Sequence, residues 1–572
     1  MKVEQIDVVV IGSGAAGGMA AYELTRSGVK VTMLEAGRYY SPQVETPMFQ
    51  TNERAPLRGA STPDKVWGYF DATIDADPSA EPYRVADGSR VSWYRPRMLG
   101  GRTNHWGRVS LRFGEYDFRM ASHDGLGTDW PISYEDISPY YDRVERLIGV
   151  YGAAEGILNS PDSPPGVLLQ PPPPRACEEL FKIACENELG IPVVPAHLAI
   201  LTKPLGDRQQ CLYATPCGRG CSVGANFQSP SVLLRPAIAS GRLQIITDAM
   251  AFHIVLGPDG TANSVLYVDR LTGAVHRLST RAVVVAASTC ESARILLNSK
   301  SALFPSGLGN SSGQVGRNLT DTPNVVVKGQ LPLLENARPY NDEGTSLDHT
   351  YVPWWLMQKQ IDGHLNFARG YDIATGYGSR RAIEIADAIQ LGNVGRRFGS
   401  GLMEDMRRFY GSFVELNSYG EMIPNDKSYC EIDPKLKDKW GIPALKFHWH
   451  WSQHEVRQMQ HSKNVMTDMV HAAGGRVVTA RAASANGSAV ITESDLSPGC
   501  AVSHEVGTAR MGTNAATSVL NQYGQTWDVK NVYVLDGAAF ASNPYKNPTL
   551  TILALAWRGS DHLARGLKNR EI

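Results

Sequence analysis

The 572-residue chain has almost no net charge, few cysteines and no long apolar run. Its 56 Lys and Arg residues face 57 Asp and Glu residues, so no overall field attracts nucleic acid or anionic lipid. Eight cysteines are too few for a fold built on disulfides. We find no run of about 18 apolar residues and no signal-peptide core, so we expect neither membrane insertion nor an export signal of its own. A globular protein of two or three domains remains.

The N-terminal residues 6–37 predict a strand, a glycine turn, an amphipathic helix and a second strand. Gly12, Gly14 and Gly17 form G-x-G-x-x-G at the turn, and Glu35 ends the second strand. Such glycines let backbone amides approach a pyrophosphate, and a carboxylate in this place can bind a ribose hydroxyl. The segment therefore predicts a dinucleotide site, without separating NAD from FAD.

Three cysteines lie close together in "CLYATPCGRGC": Cys211, Cys217 and Cys221. The glycine and proline around them indicate a loop, and closely spaced thiolates on loops hold iron–sulfur clusters. Three thiolates suit a three-iron four-sulfur cluster better than a four-iron one. One disulfide with a free thiol, or a zinc site completed by a more distant ligand, are the alternatives.

The segment "LKFHWHWS" from Leu445 to Ser452 alternates histidines with aromatic residues. His448 and His450 would share one face of a strand there. That face is either a metal site or an ordinary polar face.

Four segments carry a family resemblance. They are the N-terminal unit ending in "LEAG", "MLGGRTNHWGR" (Met98–Arg108), "GQVGRNLTDT" (Gly313–Thr322), and "SHEVGTARMG" (Ser503–Gly512) followed by "NVYVLDGAAFASNPYKNPTLTILALAWR" (Asn531–Arg558). Together they span the chain in the order found in the glucose–methanol–choline (GMC) flavoprotein oxidoreductases. The chain is identified by them as a member of that family, similar to bacterial glucoside 3-dehydrogenases, glucose dehydrogenase catalytic subunits and pyranose or C-glycoside oxidases.

The resemblance implies FAD as the cofactor and a set of residues that hold it. These are Gly12, Gly14, Gly17, Glu35, Arg97, Gly100, Gly101, Asn104, His105, Trp106, Ser288, Asp536, Gly537, Pro548 and Thr549. Ser288 departs from the family, which usually has glycine there. At His105 some relatives bond FAD covalently and others do not, so both possibilities stay open.

The resemblance also implies the catalytic pair. His504 would take the proton of an alcohol while the flavin takes a hydride from the same carbon, and Asn547 would hold the alcohol oxygen. Histidine suits this task because its ordinary pKa lies near neutrality. A buried structural histidine and a turn-forming Asn-Pro are the plain alternatives.

The implied fold is α/β: a discontinuous Rossmann-like FAD domain and an α+β substrate domain with a mixed or antiparallel sheet. We expect the FAD domain in residues 1–40, 232–326 and 495–572, the substrate domain in 327–494, and flavin-covering segments with the cysteine insertion in 41–231. Residues 241–288 alternate around turn signals and predict a β-meander that ends in an apolar strand.

The expected reaction is oxidation of a sugar ring hydroxyl to a ketone, at C3 of a glucoside or glucose. Trp354, Trp355, Trp449 and Trp451 could stack on the sugar or pack in the core. The cysteines would pass electrons to an external partner, a cytochrome or quinone-linked subunit. We expect export to the periplasm on a small partner subunit, with the cytoplasm as the alternative. An oxygen-using oxidase without a cluster, a flavin-containing lyase and a non-catalytic flavoprotein are the rival functions.

Overall fold

The computed structural model describes residues 6–45, 79–212, 217, 221–337, 348–377, 385, 389, 394–481 and 490–572. The described strands are β1 (Val8–Ile11), β2 (Val31–Leu34), β3 (Arg84–Val85), β4 (Val194–Pro195), β5 (Leu243–Ile246), β6 (Ala249–Leu256), β7 (Ala262–Asp269), β8 (Val275–Ser279), β9 (Ala282–Val285), β10 (Asn324–Gln330), β11 (Asp348–Val352), β12 (Tyr371–Tyr377), β13 (Phe413–Gly420), β14 (Tyr429–Lys437), β15 (Pro443–His448), β16 (Arg476–Arg481) and β17 (Val532–Val534). The described α-helices are α1 (Ala15–Arg26), α2 (Pro42–Glu45), α3 (Glu115–Phe118), α4 (Met120–Asp124), α5 (Tyr134–Ile148), α6 (Ala176–Leu189), α7 (Arg235–Ala239), α8 (Thr289–Asn298), α9 (Met357–Ile361), α10 (Gly399–Arg408), α11 (Gln453–Ala472) and α12 (Thr549–Asn569).

A parallel sheet in the order β17-β9-β1-β2-β5 draws its strands from the beginning, middle and end of the chain. Strand β1 lies between β2 and β9, with Val8 opposite both Val31 and Ala282. Its four residues are all apolar and buried, as parallel strands are when both faces of the sheet are covered. Helix α12 packs against α1. The predicted strand–helix–strand unit at the N-terminus is therefore confirmed.

Between β5 and β9 the chain forms the antiparallel sheet β6-β7-β8. It corresponds to the β-meander that the sequence predicts, and the chain then re-enters the parallel sheet through β9.

A six-stranded antiparallel sheet has the order β16-β10-β13-β12-β11-β4, and helix α11 packs against it. At Gly420 a Cβ atom would lie 1.9 Å from Oε1 of Gln458 on α11, so a larger residue here would displace the Gln458 side chain from between helix and strand. Because side chains alternate along a strand, the preceding Tyr419 points to the opposite face. Helix α11 begins at a Ser452 cap, whose hydroxyl accepts from the amide of His454 at 3.1 Å.

Strand β4, from residues 194–195, joins this antiparallel sheet. The proposed domain boundaries stay a prediction. Among the described helices, none combines the length and apolar character needed to cross a bilayer.

Candidate active site

The glycine loop after β1 opens onto a large cavity. At Gly12, with φ of 99°, a Cβ atom would lie 2.3 Å from the carbonyl oxygen of Ala286, and at Gly17 it would lie 1.9 Å from that of Gly12. At Gly14 nothing lies within 4 Å. Gly14 caps α1 without any side-chain hydrogen bond, so the helix N-terminus presents its free amide groups at a point where space is left open.

Glu35 lies at the end of β2 in the wall of this cavity. Its carboxylate accepts hydrogen bonds from the amides of Ser13, at 3.1 Å, and Gly37, at 2.7 Å. Burial raises the pKa of Glu35 against these hydrogen bonds. The carboxylate is thus held rigidly beside the glycine loop.

The cavity encloses about 1240 Å³, part of it open to solvent. Eleven of the fifteen predicted cofactor residues line it: Gly12, Gly14, Glu35, Arg97, Gly101, Trp106, Ser288, Asp536, Gly537, Pro548 and Thr549. An uncapped helix N-terminus, an open glycine position and a buried carboxylate in one cavity are what a dinucleotide needs. The residues present therefore fit FAD.

The other four predicted cofactor residues do not line the cavity. Gly17 lets α1 approach the glycine loop. The amide of Gly100 donates to Oγ of Ser13 at 2.8 Å. Asn104 is fully buried and bonds the carbonyl oxygen of Leu99. For Gly17, Gly100 and Asn104 the geometry shows a supporting role behind the cavity wall.

His105 lies with Nε2 3.4 Å from the sulfur of Met98 and is outside the cavity lining. The covalent bond from His105 to FAD stays an untested prediction.

Ser288 adopts a left-handed backbone conformation, with φ of 79°. Glycine is favoured in this region, which explains why the family usually has glycine at this position. The Ser288 amide donates to Asp536 at 2.9 Å, and Asp536 also accepts from the amide of Ala538 at 2.9 Å. Asp536 thereby fixes two backbone segments of the cavity wall. Burial raises its pKa to about 6.

His504 and Asn547 come together beside the cavity, each next to a lining residue. Nε2 of His504 lies 3.1 Å from Nδ2 of Asn547, and Nδ1 lies 3.1 Å from the hydroxyl oxygen of Thr322. The ring of Tyr419 lies 5.9 Å from the His504 ring, between centroids. His504 and Asn547 were predicted from the sequence as the catalytic pair. The structure adds two neighbours of His504, Thr322 and Tyr419.

The backbone that carries His504 is held by Asp321. This buried carboxylate accepts from the amides of His504, at 3.0 Å, and Val502, at 3.2 Å. Burial and the nearby Glu505 raise the pKa of Asp321 to about 7. Asp321 and Thr322 lie in the segment "GQVGRNLTDT", which the sequence marked only as a family resemblance and to which it gave no role.

Desolvation lowers the pKa of His504 to about 4, and the Arg102 guanidinium adds to the effect. Arg102 lines the cavity and forms an ion pair with Glu505. His504 is therefore neutral at physiological pH and offers one unprotonated ring nitrogen. Arg102 and Glu505 were not predicted from the sequence.

Two of the three clustered cysteines, Cys217 and Cys221, lie near buried arginines. Cys217 and Cys221 are buried and Cys211 is half-buried. Burial raises the pKa of Cys217, while the Arg108 guanidinium opposes that rise. All eight cysteines belong to the described residues, and none forms a disulfide. Within the described ranges no three or more His, Cys, Asp or Glu side chains are arranged to hold a metal ion. This arrangement supports neither a disulfide nor a zinc site, and it gives no support to the predicted iron–sulfur cluster.

The two histidines of "LKFHWHWS" bind different glutamates. Nε2 of His448 lies 3.0 Å from Glu431, and Nδ1 of His450 lies 3.0 Å from Glu493. Strand β15 ends at His448, so the expected strand does not reach His450. The two histidines therefore do not share a strand face, and in the described part of the chain they form no metal site together.

Three of the four candidate sugar-stacking tryptophans, Trp354, Trp449 and Trp451, belong to the buried core. Trp355 is half-buried and packs against Tyr371. The core-packing alternative therefore holds for three of them.

Residues 6–324 match the model of the N-terminal part of the GMC oxidoreductases, and residues 424–556 match that of the C-terminal part. The chain therefore belongs to the GMC oxidoreductase family, whose members are FAD-dependent oxidoreductases acting on alcohol groups. A solved structure, pyridoxine 4-oxidase from Mesorbium loti, is similar with a TM-score of 0.58 over 99% of both chains at 14% identity. That likeness concerns the fold alone, and it confirms the predicted fold class.

Three curated relatives match along the whole chain. 2-Methyl-1,2-propanediol dehydrogenase of Mycolicibacterium austroafricanum is 29% identical over 99% of this chain and 96% of its own. Paromamine 6'-oxidase of Streptomyces fradiae is 29% identical over 99% of this chain and 92% of its own. The fructose dehydrogenase large subunit of Gluconobacter japonicus is 26% identical over 98% of each chain.

Proposed function

We propose that the protein oxidises a ring hydroxyl of a sugar or glycoside to a ketone, at C3 of a glucoside or glucose. The contact between His504 and Asn547 beside the FAD cavity carries this proposal. When bound, FAD supplies the acceptor for the hydride. Among the relatives, paromamine 6'-oxidase and fructose dehydrogenase carry names that refer to sugars or aminosugars.

The sheet face that carries Tyr419 supports a polyhydroxylated substrate. Asn324 and Asp372 both lie opposite Tyr419 in the pairing register, and Asn417 lies two residues before it on the same face. Sugars need an aromatic surface together with polar side chains that fix individual hydroxyls. This face offers both next to His504.

The hydrogen bonds of His504 define which nitrogen acts as the base. Asn547 can donate its amide to Nε2 only when Nε2 carries no proton, which places the ring proton on Nδ1 and directs it to the Thr322 hydroxyl. The substrate hydroxyl would then give its proton to Nε2, and Asn547 would donate to the substrate oxygen. Asp321 holds the His504 backbone in place throughout.

Two buried arginines support a cluster at Cys211, Cys217 and Cys221, which we include in the proposal. Arg108 and Arg208 approach Cys221, and in the described part of the chain neither forms an ion pair with a carboxylate. Their guanidinium groups bond backbone carbonyl oxygens, such as that of Gly224 at 2.8 Å from Arg208. Buried charges normally have partners, and thiolates holding a three-iron four-sulfur cluster would supply negative charge here. Such a cluster supplies one-electron transfer.

With electrons leaving one at a time through a cluster, we propose an acceptor other than oxygen. We extend the proposal to a cytochrome or quinone-linked partner subunit and to periplasmic export on a small partner. The rival is an oxygen-using glycoside oxidase without a cluster. Iron and acid-labile sulfide per FAD, measured after anaerobic purification, distinguish the two: about three irons support the dehydrogenase, and iron near zero supports the oxidase.

The reaction itself is tested by flavin bleaching without oxygen. A panel of glucosides, glucose and simple diols is mixed with the purified protein, and the products are assigned by NMR as ketones or aldehydes. His504→Ala should lower kcat/KM by about 10²–10⁴, as expected for loss of a positioned base. His276→Ala, an exposed histidine on β8, is the matched control. Bleaching by His504→Ala at the wild-type rate, or a diol preferred over every sugar, would contradict the proposal.

The pH profile gives a second test of the base. Because the pKa of His504 lies at about 4, the acid limb of kcat/KM attributable to it should fall near pH 4 and leave activity intact at pH 6. An acid limb near 6.5 that disappears in His504→Ala would contradict the desolvated base.

A further inference from the structure

Three cysteines that are far apart in the sequence meet behind the cavity wall. Cys290 lies in the first turn of α8, Cys430 lies on β14, and Cys500 lies in the loop before His504. Their exposed fractions are 0%, 2% and 0%. The Cys290 thiol is hydrogen-bonded to the thiols of both Cys430 and Cys500. We call these three residues the Cys290 trio.

Each thiol is fixed by a different element. Cys290 lies between Thr289 and Glu291, which both line the cavity. The Cys430 amide donates to the carbonyl oxygen of Gly316 at 2.9 Å. Cys500 has a left-handed backbone with φ of 62°. The trio therefore joins the cavity wall, the β14-β15 sheet and the segment that leads to His504.

The three thiols are chemically unequal. Two thiol donors and the Arg102 guanidinium lower the pKa of Cys290 to about 7, although burial and Glu505 oppose this. The same hydrogen bonds and burial raise the pKa of Cys430 and Cys500 well above the ordinary thiol value. The thiolate is the nucleophilic form of cysteine, and a position in the first turn of a helix favours it further. Cys290 is thus the nucleophile of the trio, with two protonated thiols in contact with it.

We propose that the Cys290 trio is a thiol oxidation site, in which a hydroperoxide converts two of the three thiols into one disulfide that always contains Cys290. The Cys290 thiolate attacks hydrogen peroxide, which breaks the O–O bond and gives a sulfenic acid and hydroxide. The thiol of Cys430 or Cys500 then attacks that sulfur and water leaves. In sum, two thiols and one peroxide give one disulfide and two waters.

Cys290 itself is buried, but its neighbours Thr289 and Glu291 line the cavity, so a small oxidant would reach the sulfur through this part of the cavity wall. A Cys290–Cys500 disulfide would tie α8 to the segment four residues before His504. A Cys290–Cys430 disulfide would tie α8 to β14. Either bond would add a covalent link to a wall of the cavity that ion pairs, hydrogen bonds and packing hold in the reduced protein.

The test uses the FAD-loaded wild-type protein and hydrogen peroxide. After graded peroxide exposure the protein is unfolded in an alkylating reagent, and linked peptides are identified by mass spectrometry. We expect a Cys290–Cys430 or Cys290–Cys500 linkage, reversed by dithiothreitol, that forms at least about tenfold faster than any modification of Cys185. Cys185 is the matched control because it is equally buried, at 0% exposure, while burial raises its pKa to about 12.

Two variants separate the proposal from general oxidation of the protein. Cys290→Ser should abolish every linkage within the trio, so that Cys430 and Cys500 stay reduced. Cys185→Ser should leave the linkage unchanged. A Cys430–Cys500 bond in Cys290→Ser, irreversible oxidation of Cys290 in place of a disulfide, or oxidation of Cys185 as fast as that of Cys290 would each overturn the proposal. These readouts involve no substrate, so they stand apart from the outcome for sugar oxidation.

Discussion

The chain contains two sets of three cysteines that are assembled in opposite ways. Cys211, Cys217 and Cys221 are close in sequence, yet within the described residues they form no ligand group for a metal. The members of the Cys290 trio lie 70 to 210 positions apart in the sequence, and the Cys290 thiol is hydrogen-bonded to the other two. Short spacing along a loop therefore does not by itself make a metal site, and wide spacing does not prevent contact between thiols.

The two sets of cysteines also differ in whether the arginines near them have an ion-pair partner. Arg108 and Arg208 lie near Cys221 without an ion-pair partner among the described carboxylates. Arg102, near Cys290, is paired with Glu505. The first region carries positive charge that a bound anion can balance, whereas in the second region Glu505 already balances Arg102. The first set resembles a binding site and the second a reactive one.

The largest expected effect is the complete loss of iron on changing the first set alone. If Cys211, Cys217 and Cys221 hold a cluster, Cys217→Ser should reduce iron from about three per chain to near zero, because a three-iron cluster cannot be held by two thiolates. Cys290→Ser and Cys185→Ser should retain the wild-type iron content. The measurement is iron and acid-labile sulfide per FAD after anaerobic purification. An equal iron content in Cys217→Ser and the wild type would show that the first set of cysteines does not bind the cluster.

A smaller effect is expected at the unpaired arginine. Arg208→Met should lower the free energy of unfolding by about 3 kcal/mol in iron-loaded protein, because it leaves buried negative charge without compensation. In iron-free protein the same change should be neutral or slightly stabilising, since it removes an unpaired buried cation. Thermal unfolding of both forms measures the contrast, with Arg235→Met as control because Arg235 is 56% exposed. The same shift in both forms would show that no anion depends on Arg208.

The sequence predicted those parts of the fold that short-range patterns control. The uninterrupted apolar strands β1 and β9 indicate a buried parallel sheet, and the glycine loop between β1 and α1 indicates a phosphate-binding turn. The turns at "PDGT" and "LTGA" indicate the β6-β7-β8 meander. Each of these features is decided by residues within about ten positions of one another.

Contacts between distant segments could not be predicted in the same way. Thr322 meets His504 across 182 positions, and Cys290, Cys430 and Cys500 meet because α8, β14 and the loop before His504 converge. Strand β4 lies in the cysteine-containing part of the chain but completes the antiparallel sheet. His105 turns to Met98 although its neighbours Arg102, Thr103 and Trp106 line the cavity. Tertiary packing decides these contacts, and no local pattern records them.

The smallest expected effect is a change in the free energy of unfolding with pH. It distinguishes Cys290 from an ordinary buried cysteine. The pKa of Cys290 falls from the ordinary 9.0 to about 7 on folding, so the unfolded chain binds more protons between these values. Cys290 therefore contributes stability that is complete above pH 9 and is lost as the pH falls through about 7. The wild type should gain about 1–2 kcal/mol between pH 7 and 9 from this source, and Cys290→Ser should lose that gain.

The neighbouring groups titrate outside this window. The pKa of His504 is lowered to about 4 and that of Asp321 is raised to about 7. The stability contributions of these two groups therefore change mainly at or below pH 7, the lower limit of the window. The pKa values of Cys430 and Cys500 are raised well above 9.0, so these two thiols begin to lower the stability as the pH approaches 9, at the upper edge of this window, and oppose the gain from Cys290 there. Thermal midpoints at pH 7 and 9 under reducing conditions, compared among the wild type, Cys290→Ser and Cys185→Ser, measure the effect. If the thermal midpoint of Cys290→Ser still rises between pH 7 and 9 as in the wild type, the titrating group lies elsewhere. The three thiols of the Cys290 trio would then be equivalent.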